Sequence, residues 1–220
     1  MGRKVRRAFF KKTQITNKAN FVALAHHAQD QEETFFIRLL RGSTLDGLTC
    51  IKEKDGDYIR PLLNISRETI IGYLNENKID YRVDPSNESE EFLRNRIRKH
   101  VIPALNSADK RFTQKFKDTL KSLCEENKLI HDLVLSSLST VFVKKEAVFV
   151  GNRSNLIKFS PALQQRIILH WLKQEKVPFS TSKSFLKEIL KFISSSSGGS
   201  HNLSKLWKIV KNKGHFWIET

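Results

Sequence analysis

Residues 21–42 read FVALAHHAQDQEETFFIRLLRG. The apolar run Phe21–Ala25 has the length of a strand and no turn or capping signal before it, which predicts a strand buried inside a parallel sheet. The period then changes. Phe35, Phe36, Leu39 and Leu40 recur at i, i+1, i+4 and i+5, and Gly42 follows as a C′ residue, so His26–Arg41 predicts a tight turn and a helix. One strand cannot make a sheet, so its partners lie later in the chain or upstream of it. A second strand is predicted at Tyr58–Leu63 (YIRPLL). A helix follows, with Ile65 at N′, Ser66 as N-cap, Glu68 in the first turn and Ile70 at N4, where Ile65 and Ile70 form a hydrophobic staple. It ends near Asn77; Ile79–Val83 reads as extended and Asp84–Asn87 (DPSN) as a loop. Alternating strands and helices predict an α/β fold with a partial parallel sheet.

From Phe92 the pattern is helical, with a break expected at Pro103 and a long amphipathic helix over Phe112–Leu138, marked by Phe116, Leu120, Leu123, Ile130 and Val134. The boundary between domains is placed within Ala104–Lys110. Residues 1–106 then form the α/β part and residues 107–220 a mainly helical domain with small β-hairpins. Val141–Val150 reads as one hairpin, and Lys208–Val210 with His215–Ile218 as a closing one. Ser160 and Pro161 open a helix through Trp171, and Thr181–Ile193 forms another. Lys183, Lys187 and Lys191 lie opposite Phe185, Ile189 and Phe192 and read as a solvated face, favoured narrowly over RNA contact. Gly198 and Gly199, in SSSSGGS, follow a helix rather than a strand and read as a connector, not a phosphate loop.

The 220 residues carry 39 Lys plus Arg against 23 Asp plus Glu, a formal charge of +16. With 39% hydrophobic residues and 15 Phe the chain fills a real core and is not a disordered basic tail. The charge points to a polyanion, with nucleic acid favoured because the cations cluster: seven in residues 1–29 without an acid, nine in 94–121 against Asp109 and Asp118. No apolar run approaches the ~20 residues of a membrane span. Residues 1–12 (MGRKVRRAFFKK) lack a secretory core, and Arg6 stands where myristoylation needs Ser or Thr. Cys50 and Cys124, isolated from each other, support neither a disulfide framework nor a zinc knuckle and fit a reducing, cytoplasmic setting.

Two clusters carry chemistry. His26, His27, Asp30, Glu32 and Glu33 sit in the turn after the first strand, where open α/β sheets place their ligands. Asp30 and Glu33 share a helix face. These carboxylates either hold Mg²⁺ or take a proton, with His26 as acid, base or charge stabiliser, or they merely complement a helix N-terminus. Zinc is the weaker reading, as no Cys is near. The second cluster is Arg94, Asn95, Arg96, Arg98 and Lys99, with Arg94 and Arg98 on one face. It either binds phosphate or RNA, or is a surface paired with Glu90 and Glu91.

HHAQDQEETFFIRLLRGSTLDGL (His26–Leu48) resembles the signature of tRNA(Ile)-lysidine synthetases, PP-loop enzymes of the N-type ATP pyrophosphatase class, in which a strand runs into HHxDDQxET and then LLRGSxLxGL. The likeness continues through IRPLL (Ile59–Leu63), DPSN and FLRNRIRKHVIPAL (Phe92–Leu105), and GRKVRRAFF (Gly2–Phe10) is similar to the family's preceding helix. It covers residues 2–105. The resemblance implies an adenine-nucleotide α-hydrolase-like fold and a two-step ligation. ATP adenylates C2 of the wobble cytidine of an isoleucine tRNA with anticodon CAU, and free L-lysine then displaces AMP. It further implies His26, Asp30 and Glu33 around the cytidine, the lysine amine and Mg²⁺, Arg94 and Arg98 at the phosphates, and Arg41, Gly42 and Ser43 near ATP. The basic helical half would hold the tRNA.

Two departures stand out. Gln29 replaces the first Asp of the family's pair. The Ser-Gly-Gly-x-Asp-Ser loop that cradles ATP is not among these residues, so the chain is expected to be the latter part of a synthetase, begun too late or truncated. The competing expectation is a tRNA-binding remnant that cannot activate ATP. A 2-thiolating relative is disfavoured, because such enzymes use catalytic cysteines.

Overall fold

The computed structural model describes residues 2–82, 89–146, 148–178 and 182–220, in two units, Met1–Asn127 and Lys128–Thr220. The first holds α1 (Gly2–Thr16), β1 (Val22–Ala23), α2 (Ala28–Leu40), α3 (Leu45–Leu48), β2 (Lys54–Asp55), β3 (Tyr58–Ile59), α4 (Arg67–Glu76), α5 (Leu93–Arg96), a π-helical turn (Ile97–Val101), α6 (Ile102–Ala108) and the first half of α7 (Phe112–Val141). Its sheet has the order β1-β3-β2. β1 and β3 run parallel, with Val22 opposite Tyr58 and Ala23 opposite Ile59, so the two predicted strands do pair.

The strand predicted at Phe21–Ala25 is observed at Val22–Ala23, and among the described residues it pairs with β3. Phe21 is 45% exposed, and its ring lies under the Lys54 ammonium at 4.6 Å. Residues 79–82 form no strand, and the DPSN loop lies outside the described residues.

The helix ends follow local chemistry. The Ser66 hydroxyl accepts the Thr69 N–H at 3.1 Å. Gly42, at φ +68°, closes α2 in a Schellman turn, where Ser43 N–H reaches Arg38 O at 3.0 Å. Packing departs from the apolar pattern. Phe35 and Phe36 meet Phe112 and Phe116 of α7 with centroids 5.2–6.3 Å apart, but Leu39 and Leu40 face solvent. The buried residues of α2 are Glu32 and Glu33.

Pro103 does not break its helix. The preceding π-turn shifts the backbone pairing, with Ile102 N–H bonding Ile97 O. The wider turn accommodates a residue without an N–H whose ring would crowd the carbonyl four residues back.

The second unit contains the rest of α7, β4 (Phe142–Lys145), β5 (Val148–Asn152), α8 (Arg153–Leu156), α9 (Pro161–Gln174), α10 (Lys183–Ser194), β6 (Gly199–Asn202), β7 (Lys208–Asn212) and β8 (His215–Glu219). Both predicted hairpins form, and they join through β5 and β8 into one antiparallel sheet of order β4-β5-β8-β7-β6. Part of the Ser/Gly stretch read as a connector is strand β6, paired with β7 from Gly199 opposite Lys211. Phe142, Trp171 and Phe216 stack at 5.0–5.6 Å in the core, over the fully buried Ile167, Ile168, Leu172, Ile189 and Ile193. Lys187 and Lys191 are exposed. No helix among the described residues is long and apolar enough to cross a membrane.

Candidate active site

The parallel strands β1 and β3 end side by side, and the segment after β1 carries His26 and His27 into α2. That segment is pinned on both sides: Leu24 N–H donates to Ile59 O and Ala28 N–H to Ile65 O, each at 2.9 Å. His27, in extended conformation, is the N-cap of α2. Its N–H donates to Asp30 Oδ2 at 2.9 Å, which fixes the Asp30 carboxylate in the first helical turn. The other oxygen, Oδ1, accepts from Arg94 Nη2 at 2.8 Å.

Arg94 spans both carboxylates. Its Nε donates to Glu33 Oε2, while Arg98 Nε donates to Glu33 Oε1 at 2.5 Å. The Glu33 side chain is fully buried, whereas those of Arg94 and Arg98 stay 41% and 40% exposed. The two clusters separated in sequence are thus one network, Asp30–Arg94–Glu33–Arg98. Its carboxylates are neutralised from inside and its guanidinium groups present positive charge outward. The alternative surface pairing forms in part: Glu90 meets Lys99 of the second cluster at 3.9 Å and His100 at 3.2 Å.

His26 is half-buried beside this network. Its Nδ1 is buried without a partner. Burial holds its pKa below the ordinary 6.5; Arg60, Arg94 and Arg6 push the same way, against Asp30. The imidazole is therefore mainly neutral near pH 7 and able to accept a proton. Glu32, next to Glu33, is pushed up to about 7 by burial, reinforced by Glu68 and Glu33 and opposed by a hydrogen bond with Thr113.

The neighbouring glutamines hold the frame. Gln31 clamps Ile51, donating to its O at 2.9 Å and accepting its N–H at 2.8 Å. Gln29 joins the starts of α2 and α4: its Nε2 donates to Glu68 Oε2 and its Oε1 accepts Arg67 N–H, both at 2.9 Å. Arg60, one residue beyond β3, is 9% exposed and donates through Nη1 to Lys52 O at 2.6 Å. The sequence pattern places Arg60 inside a strand, and the one signal that sets it apart is its position at that strand's carboxyl end. Arg41, Gly42 and Ser43 close the opposite end of α2, eleven residues and roughly 16 Å of helix rise from Asp30. The structure does not bring them to the His26–Glu33 cluster.

Among the described residues no three His, Cys, Asp or Glu side chains converge as a metal site. Both Glu33 oxygens are engaged by guanidinium N–H groups, so a cation would have to displace one. Asp30 accepts a single bond on each oxygen and keeps lone pairs for another contact.

Comparison with known proteins adds the following. Residues 1–105 match the model of the PP-loop domain. A tRNA(Ile)-lysidine synthase of Bacillus anthracis is 35% identical over 198 residues, covering 86% of this chain and 42% of that protein. That of Bacillus subtilis (strain 168) is 31% identical over 219 residues, 96% of this chain and 46% of its own length. That of Geobacillus kaustophilus is 32% identical over 164 residues, 73% and 35% respectively. The chain spans less than half the length of the curated relatives it matches.

Proposed function

The chain belongs to the tRNA(Ile)-lysidine synthase family, and from that premise we propose that its site serves ATP-dependent lysidine formation on CAU-anticodon isoleucine tRNA. The observation that carries the reading is the Asp30–Arg94–Glu33–Arg98 network with a neutral His26 beside it at the carboxyl ends of two parallel strands. In the first step the cytidine C2 oxygen bonds the α-phosphorus of ATP and pyrophosphate leaves. Negative charge grows on phosphoryl oxygens, and the half-exposed Arg94 and Arg98 supply fixed positive charge to it. Because Glu33 and Asp30 hold those guanidinium groups, the donors are oriented before substrate arrives. In the second step the lysine amine forms the C2–N bond and AMP carries off the oxygen. The attacking ammonium must first lose a proton, for which His26 and the Asp30 carboxylate are the acceptors at hand.

Mg²⁺ would enter with the ATP phosphates, with Asp30 as its proposed protein contact and Glu33 acting through its arginines. Arg41, Gly42 and Ser43, at the far end of α2, would make any nucleotide contact separately. The ATP phosphates also need the Ser-Gly-Gly-x-Asp-Ser loop, which is not among these residues. Residues 107–220, with much of the +16 charge, are proposed to hold the tRNA body in a cytoplasmic setting, with affinity that falls steeply as salt rises.

The test is pyrophosphate release and lysidine formation from ATP, lysine and the tRNA, using the 220-residue chain and a form extended at its start by the loop-bearing segment. Activity is expected from the extended form. Asp30→Asn in that form should abolish lysidine formation and leave tRNA affinity within about twofold, since neutralising one acid leaves the basic surface intact. An extended form that binds tRNA but never releases pyrophosphate would leave the chain a tRNA-binding module.

A further inference from the structure

A buried guanidinium is ordinarily matched by a carboxylate or by several carbonyls, because its donors lose water on burial. Arg60 breaks that rule. It is nine-tenths buried, yet Nη1 to Lys52 O is the only hydrogen bond of its side chain among the described residues. Its Nε is buried without a partner. The carboxylates of the site are already committed, Asp30 to Arg94 and His27, Glu33 to Arg94 and Arg98.

Its position is equally specific. Ile59 pairs with Ala23 at the end of the parallel ladder, so Arg60 leaves β3 where Leu24 leaves β1. His26 follows two residues later, near enough for the Arg60 charge to act on its ring. The His26 Nδ1 is likewise buried and unpartnered. Each residue thus has a buried nitrogen without a partner, one of them on a permanent cation, and both residues lie just beyond the carboxyl ends of the paired parallel strands, where α/β sheets take their ligands.

We propose that Arg60, together with His26, forms an oxyanion subsite that positions an anionic oxygen of the substrate beside the Asp30–Glu33 network. The group is a phosphoryl oxygen or the carboxylate of the amino acid; both offer the same acceptor to a guanidinium fork. The assignment of those two sources rests on the ligase reading, whereas the anion site itself does not. Arg60 is a positioning residue here, distinct from Arg94 and Arg98, whose inner donors are spent on carboxylates.

The experiment follows the Arg60 Nε–H by ¹⁵N NMR in the 220-residue chain, its resonance assigned by its loss in Arg60→Lys. Inorganic pyrophosphate, L-lysine and lysinamide are added separately. A downfield shift and slowed exchange of Nε–H with pyrophosphate identifies a phosphate subsite. The same response with lysine but not lysinamide identifies a carboxylate subsite. No response to pyrophosphate or lysine at millimolar concentration, or equal responses to lysine and lysinamide alone, overturns the proposal. Arg60→Gln should weaken the responsive probe at least ~10-fold with unchanged circular dichroism, Arg60→Lys less so. If Arg60→Gln does not fold, the wild-type titration decides alone. The two readings fail separately. Anion binding at Arg60 in an extended form that makes no lysidine removes the ligase reading only. Wild-type lysidine synthesis by Arg60→Gln, with an unchanged KM for every substrate, removes the subsite only.

Discussion

Glu32→Gln isolates one buried proton. Glu32 is 3% exposed and, held at about 7 against an ordinary 4.5, stays protonated in the fold at pH values where the unfolded chain has released its proton. The folded state therefore binds more protons between those limits, so this carboxyl's contribution is fully present below the unfolded value and is lost as pH rises through the folded one. At 1.36 kcal/mol per pKa unit, the loss between about pH 6 and about pH 8 is about 1 kcal/mol, and on the order of 3 kcal/mol over the full window. Glu32→Gln, with the same shape and no charge, should remove this slope and be the more stable protein at about pH 8. The assay is urea unfolding followed by tyrosine, because Tyr58, Tyr73 and Tyr81 lie in the first unit and Trp171, Trp207 and Trp217 in the second. His26, held low, loses stability in the opposite direction as pH falls, and comparing variant with wild type cancels it. A wild-type-minus-variant difference that stays flat with pH, or grows as pH rises, refutes the buried-proton argument.

Two other changes test the packing of each unit. Arg94→Ala leaves the buried Glu33 with one guanidinium and Asp30 Oδ1 without a partner; the cost expected is about 3 kcal/mol in the tyrosine-monitored transition, and Arg94→Lys should recover little because a point charge cannot span two carboxylates. Gly151→Ala would place a Cβ 2.3 Å from the Phe216 ring; a cost of about 1–3 kcal/mol should appear in the tryptophan transition, with the tyrosine transition unmoved.

What could be read from sequence was what neighbouring residues decide. The Ser66 cap, the Gly42 turn and the β4–β5 hairpin are local, and each stands where its chemistry put it. What could not be read depended on contacts remote in the chain. Gly199–Asn202 carries no strand pattern of its own and becomes one by pairing with β7. Pro103 looked like a stop because a single residue does not reveal that the turn before it widens. The site clusters were legible as residue types, and their meaning was not. Arg94 serves either a solvated surface or a site until its partner is known, and that partner, Asp30, lies 64 residues away.

Gln29 makes the same point from the opposite side. Read along the chain, it is a lost carboxylate, a gap in an acidic pair. In the fold its amide donates to Glu68 and accepts from Arg67 N–H, tasks that need a donor and an acceptor on one side chain. A carboxylate there would face Glu68 with like charge and could do only half of this. The acids left at the site, Asp30 and Glu33, are each matched to arginine, so a further negative charge on α2 would have no guanidinium assigned to it. The departure at position 29 therefore serves the docking of α2 on α4.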